Sequence, residues 1–195
     1  MRRLALSLLL ALASPAAGAP ILDQQAEVRQ SAAFGLSELT RAQTFTVGVD
    51  GVLHSVELLL RDSATRTFEI HATTGGVPVL GSTPLASVSV DFAAGFASWV
   101  AIDFSSFAIP VSVGDVLAIV QPGASPAAGF WWAGGGDYAG GTLYSTTDPS
   151  PGAYVASPEL DFHFRTYVTP EPAAGLLAAV TALLLLVGPR GRSPR

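Results

Sequence analysis

Gln43 to Arg61 reads QTFTVGVDGVLHSVELLLR, and its alternation decides the fold class. Phe45, Val47 and Val49 alternate with Thr44, Thr46 and Gly48, the period-two pattern of a half-buried strand. Asp50-Gly51 is a hairpin turn signal, since glycine tolerates positive φ. Leu53 to Arg61 is then expected as the hairpin partner.

The same pattern continues outward from this stretch. Thr67 to Thr73 places Phe68, Ile70 and Ala72 on one side and Glu69 and His71 on the other. Gly75-Gly76 and Pro78 break the chain. Further strands are predicted at Ala86 to Phe92, Ser98 to Phe104, Val116 to Gln121, Gly129 to Ala133, Thr142 to Ser145 and Leu160 to Val168. On the N-terminal side, Ile21 to Leu39 opens with a polar segment read as a lead-in or edge strand. No convincing helical periodicity occurs between Asp23 and Val168. Some nine short strands between Gly, Pro, Asp and Ser turns imply an all-β chain, a β-sandwich whose sheets bury alternate side chains.

The two ends are different. Arg2 and Arg3, an apolar run from Leu4 to Ala13 and the small residues Ser14 to Ala19 have the build of a secretory signal peptide over residues 1–19, with cleavage favoured after Ala16 or Ala17 because Pro20 follows Ala19. At the other end, Pro170-Glu171-Pro172 is followed by the uncharged run Ala173 to Gly188 (AAGLLAAVTALLLLVG) and by Pro189 with Arg190, Arg192 and Arg195. Sixteen helical residues span about 24 Å, short of the roughly 30 Å hydrocarbon core. This run is a marginal transmembrane helix, with its arginines held on the cytoplasmic side. The two prolines keep the tripeptide extended and exposed where a processing enzyme could grip it.

These three ordered elements resemble the PEP-CTERM sorting signal of Gram-negative bacteria. Pro170, Glu171 and Pro172 match its recognition motif, Ala173 to Gly188 its hydrophobic helix, and Arg190, Arg192 and Arg195 its basic stop. The resemblance implies an exosortase substrate, cut and transferred by a membrane-embedded enzyme during export through the secretion machinery. It also implies a surface or extracellular-matrix protein of the kind associated with exopolysaccharide and biofilm. An ordinary C-terminal anchor is the alternative. The segment Pro110 to Ile119, then Tyr138 to Gly141 and Asp161 to Tyr167, resembles the small bacterial jelly-roll domains found beside sorting signals and related to carbohydrate-binding modules. The expected organisation is a signal peptide, a jelly-roll-like β-sandwich over residues 20–168, and a sorting signal over residues 169–195.

Composition bounds the partners. Mean hydropathy of +0.45 and 49% hydrophobic residues are inflated by the apolar ends. Between Ile21 and Val168 there are five arginines, no lysine and fourteen acidic residues, an excess of nine negative charges. That charge argues against nucleic acid or an anionic membrane surface as a partner of the domain. The absence of cysteine excludes a thiol nucleophile and cysteine metal sites.

The search for chemistry gives little that points to an enzyme. His54, His71 and His163 are isolated, with no metal-ligand spacing, and no GxSxG elbow is present. Gly134-Gly135-Gly136 lacks the lysine and following helix of a phosphate loop. Phe130, Trp131, Trp132, Tyr138 and Tyr144 lie close together among glycines. In a rim loop their rings would stack on sugars, with Asp137 accepting hydroxyl hydrogen bonds. Adjacent strand residues point to opposite faces, so only one of Trp131 and Trp132 can face out and the other packs in the core. Trp131, Trp132, Tyr138, Tyr144 and Asp137 are thus the candidate glycan contacts, and extracellular polysaccharide the candidate ligand. Asp91, Asp103, Asp115, Asp137, Asp148 and Asp161 fall near predicted strand ends. Asx turns and solubility account for them, with loop-bound calcium as the alternative, and no cofactor is expected. A glycosidase carboxylate pair has no support from spacing.

Overall fold

The computed structural model describes residues 18–27, 31–35, 39–79, 81–93, 95–123, 129–146 and 154–171. Residues 1–17 of the expected signal peptide, Pro172, the apolar run Ala173 to Gly188 and the terminal arginines lie outside the described residues.

The described chain is all-β. Its strands are β1 (Ile21–Ala26), β2 (Ser31–Gly35), β3 (Thr40–Thr46), β4 (Gly51–Arg61), β5 (Ser63–Thr74), β6 (Val77–Pro78), β7 (Ala86–Ala93) and β8 (Ser98–Asp103), and then, after a 3-10 turn at Ser105–Phe107, β9 (Pro110–Val111), β10 (Val116–Gln121), β11 (Phe130–Gly135), β12 (Leu143–Thr146), β13 (Val155–Ser157), β14 (Leu160–Phe162) and β15 (Phe164–Pro170). They form two antiparallel sheets. The eight-stranded sheet runs β1-β15-β4-β11-β14, with β2 on β11 and with β8 and β9 on β4. The seven-stranded sheet runs β13-β12-β3-β10-β5-β6, with β7 on β5.

All nine predicted strands are present, and Ile21–Ala26 is indeed an edge strand, paired only with β15. The hairpin is a correction. Asp50-Gly51 does not join partners in one sheet, because β3 pairs with β10 and β12 while β4 pairs with β15, β8, β9 and β11. Phe45 and Val47 on one side, and Leu53, Val56, Leu58 and Leu60 on the other, form one core. Two strands that are apolar on one face bury more by facing each other across the sandwich than by lying side by side. The corner is held by side chains: Asp50 Oδ1 accepts the Val113 amide at 2.7 Å and Asp23 Oδ1 the Gly48 amide at 2.8 Å.

The last predicted strand, Leu160 to Val168, is divided at His163 into β14 and β15, and β15 ends two residues later than predicted. β15 continues to Pro170, opposite Gly51, so Thr169 and Pro170 belong to the sheet, two residues past the expected domain end at Val168. Glycine is needed here, since a Cβ at position 51 would lie 2.2 Å from the Thr169 carbonyl oxygen. Pro170 ends the strand, where a missing amide donor is tolerated.

The core between the sheets is aromatic. Trp131 stacks on Phe162 at 3.9 Å between centroids and meets Phe68 edge-on at 6.1 Å. Phe45 packs on Phe164, and Phe164 on Tyr138. Burial of such side chains contributes about 1.5–3 kcal/mol each.

Candidate functional site

Of the aromatic residues proposed from sequence, Trp131 and Trp132 take opposite faces of β11. Trp131 is fully buried and its Nε1 donates to the His163 carbonyl at 3.1 Å. It has no surface for a ligand, which removes it from the candidate glycan contacts. Trp132 is half-buried on the outer face, its ring 5.8 Å from that of Phe96. Phe96 is 78% exposed.

Tyr138 is a wedge rather than a platform. Its ring meets Phe164 edge-on at 5.2 Å, and its hydroxyl donates to Gln24 Oε1 at 3.1 Å and accepts the Thr46 amide at 3.2 Å. Burial pushes its pKa up to about 12. Its amide donates to Asp161 Oδ2, whose other oxygen accepts from Gln43 Nε2, while Gln43 Oε1 accepts the Phe162 amide. Gln43 and Asp161 are fully or almost fully buried, and burial raises the Asp161 pKa against these hydrogen bonds. This network ties the seven-stranded sheet to the eight-stranded one and has a structural task.

Tyr144 lies elsewhere, on the outer face of the seven-stranded sheet. It packs edge-on with Tyr154 at 5.8 Å, and both cover Ala42, Ala118 and Val120. A shallow cleft of about 320 Å³ beside it is lined by Thr44, Thr46, Gly76, Val116 and Gly140. Its Thr44 and Thr46 hydroxyls already donate to the Thr142 and Gly140 carbonyls. Asp137 is exposed in the turn after β11. The five residues therefore do not form one surface.

The three histidines stay apart. His71 and His163 lie on outer faces as expected, yet they are only 3% and 4% exposed. His71 Nε2 lies 2.8 Å from Glu69 Oε2. Among the described residues no three His, Cys, Asp or Glu side chains come together to hold a metal. The acidic residues near strand ends mostly bind backbone or neighbours. Asp103 Oδ1 accepts the Ser105 amide, Asp115 Oδ2 the Ser112 amide, and Asp91 the Thr65 hydroxyl. Asp148 lies outside the described residues.

A different constellation appears on the outer face of the eight-stranded sheet. Arg165 on β15 lies opposite Glu57 on β4, and Trp99 on β8 lies opposite Leu59 on β4. The Arg165 guanidinium sits 4.0 Å over the Trp99 ring centroid. Its Nη1 donates to Glu57 Oε2 at 3.0 Å, and its Nε donates to Glu27 Oε1 at 2.6 Å. The Tyr167 hydroxyl donates to the same Glu57 oxygen at 3.1 Å. Burial works against the arginine's charge, but the two carboxylates outweigh it and its pKa lies above the ordinary value. Burial, and then Glu57, also raise the Tyr167 pKa.

Sequence reasoning missed this group because its members come from distant strands. One signal was available. In Ser98 to Phe104 the apolar residues Val100, Ile102 and Phe104 share one phase, which puts Trp99 outward with Ala101 and Asp103.

At one end of the sandwich the first and last described residues converge. Ile21 on β1 is opposite Val168 on β15, and a Cβ at Gly18 would lie 3.4 Å from the Pro170 carbonyl oxygen. Pro170 is half-buried and Glu171 exposed. Among the described residues no helix is long and apolar enough to cross a membrane.

Comparison of the chain with protein-family models, with curated proteins and with solved structures finds no match in any of the three.

Proposed function

We propose that this chain is an exported, non-enzymatic surface or extracellular-matrix protein of a Gram-negative bacterium, sorted through its C-terminal PEP-CTERM-like signal by an exosortase-type enzyme. The observation that carries this reading is that the first strand begins and the last strand ends at one pole of the sandwich. A signal peptide with Arg2 and Arg3 inside the cell, and a C-terminal segment with Arg190, Arg192 and Arg195 inside, both require the domain to leave the same membrane surface. A domain whose first strand begins beside the point where its last strand ends meets that requirement without threading chain around the fold. Consecutive strands that alternate between sheets, as β3, β4 and β5 do, support the jelly-roll-like reading of the sandwich.

The position of Pro170 sharpens the processing step. The motif begins inside the last strand, and only Glu171 and Pro172 separate it from the apolar run. At no more than about 3.6 Å per residue, the enzyme meets the motif close against the folded domain. The test is the intact mass of the protein recovered from its native host, mapped at its C-terminus. The expected chain ends between Pro170 and Ala173, with or without an added group. A chain ending at Arg195 means a permanent anchor and overturns the sorting reading.

A further inference from the structure

The outer face of the eight-stranded sheet combines outward-facing aromatic rings with a pinned arginine and two carboxylates. Trp99, Trp132 and Tyr167 come from three strands, and Phe96 from the loop before β8. We infer that this face is a binding strip for a neutral polysaccharide chain, with Trp132 and the exposed Phe96 beside it as its stacking surface, Trp99 as the platform that holds Arg165, and Arg165, Glu57 and Tyr167 as the groups that read hydroxyls. This goes beyond the sorting reading, because it concerns the domain and holds whether the tail is cut or kept.

The chemistry selects the ligand class. A pyranose has an apolar C–H face and a rim of hydroxyls that both donate and accept. The half-exposed Trp132 indole and the exposed Phe96 ring suit the first, and fixed charged groups that leave hydrogen-bonding capacity free suit the second. Arg165 is held over Trp99 and between Glu27 and Glu57, so its fork is already ordered and little side-chain freedom remains to be lost on binding. Glu57 faces solvent beside Ala101, an exposed small residue opposite it on β8, which leaves room above the carboxylate.

Charge decides against acidic chains. Two carboxylates face one guanidinium here, within a domain that carries nine excess negative charges. An anionic polysaccharide or a nucleic acid is repelled. Length decides for a polymer. Leu59 opposite Trp99 donates to the His163 carbonyl, and the His163 amide donates to the Trp132 carbonyl. The Trp132 ring and the Trp99–Arg165 pair are thus two to three strand spacings apart, about 10–14 Å, wider than a single sugar ring. Neither Tyr144 nor its cleft on the other sheet belongs to this strip.

The test is affinity electrophoresis of the full chain in detergent micelles, in gels containing hydroxyethylcellulose, laminarin, galactomannan or polygalacturonate. At least one of the three neutral polymers is expected to retard the protein, and polygalacturonate is not. Trp99→Ala and Trp132→Ala should each weaken retention about tenfold. Ala101→Glu removes none of the strip's own side chains but fills the space above Glu57, and should abolish retention while the chain keeps a cooperative melting transition, slightly lowered because carboxylates directly opposite on neighbouring strands repel. If the tryptophan variants fail to fold, Ala101→Glu alone decides. No retardation by any neutral polymer, retention by polygalacturonate only, or retention untouched by Ala101→Glu overturns the inference. The C-terminal mass measurement is independent of all these outcomes.

Discussion

The two faces of the eight-stranded sheet are made by the same strands, and neighbours on β11 show how differently they are used. Trp131 faces inward, fully buried, stacked on Phe162 and hydrogen-bonded to the His163 carbonyl. Trp132 faces outward beside the exposed Phe96. The inner face takes its stability from burial and close packing, whereas the outer face sets aromatic and ionised side chains at half-buried positions that water reaches from one side. An exposed Arg–Glu pair contributes only about 0.2–1 kcal/mol, and an exposed cation–π contact about 0.5–1. Stability is therefore a weak reason for the outer constellation, and recognition a better one.

The sharpest way to break this comparison is to remove each tryptophan in turn. Trp131→Ala deletes a buried ring that touches Phe68 and Phe162, and should cost about 3–5 kcal/mol, measured as a loss of denaturant midpoint at constant slope. Trp132→Ala should cost about 1 kcal/mol, in line with partly exposed sites. Equal losses would mean that the outer face is as much a part of the core as the inner one.

A smaller loss is expected at the polar centre of the inner side. Asp161→Ala strands the Gln43 amide and the Tyr138 N–H, each already cut off from most solvent. An unsatisfied buried partner costs about 1–3 kcal/mol, so the variant should lose about 2–4 kcal/mol. Asp161→Asn keeps one acceptor oxygen and should lose less. Were Asp161→Ala nearly neutral, the network would not be what joins the sheets, and aromatic packing alone would have to do so.

Much of this fold was legible in period-two patterning. Phe45, Phe68, Ile70, Ile102 and Ile119 all face the core in the phase their neighbours predict. The pairing was less legible, because alternation fixes which face a residue takes and not which strand lies beside it. Asp50-Gly51 illustrates this: its local chemistry favours a tight turn, but the apolar faces of β3 and β4 gain more by meeting across the sandwich. Short strands such as Val77–Pro78 and Pro110–Val111 carry too few residues to show any period. The candidate site was legible only in part. Proximity in sequence pointed to Trp131 through Tyr144, whereas the outer strip joins Glu27, Glu57, Trp99, Trp132 and Arg165, which only the sheet register brings together.

His163 stands between the two faces and gives the smallest and most discriminating test. Its carbonyl accepts from Trp131, its amide donates to the Trp132 carbonyl, and its imidazole is almost wholly buried on the outer side. Burial lowers its pKa, with Glu27 opposing more weakly. A histidine whose folded value lies below its unfolded value of about 6.5 binds fewer protons when folded, so stability rises with pH across the interval between the two. Above that interval its contribution is complete, and it is lost progressively as pH falls from the unfolded value through the lower folded one. Asp161, raised by burial, acts with the opposite sign at lower pH, where its folded form holds the proton longer. The two are separated by subtracting the pH profile of His163→Gln, which leaves both backbone hydrogen bonds in place. The wild type should lose more stability than the variant between pH 7 and pH 5. Parallel profiles would mean that the outer face admits water to the imidazole, and that the boundary between a dry inner face and a wet outer one lies deeper than His163.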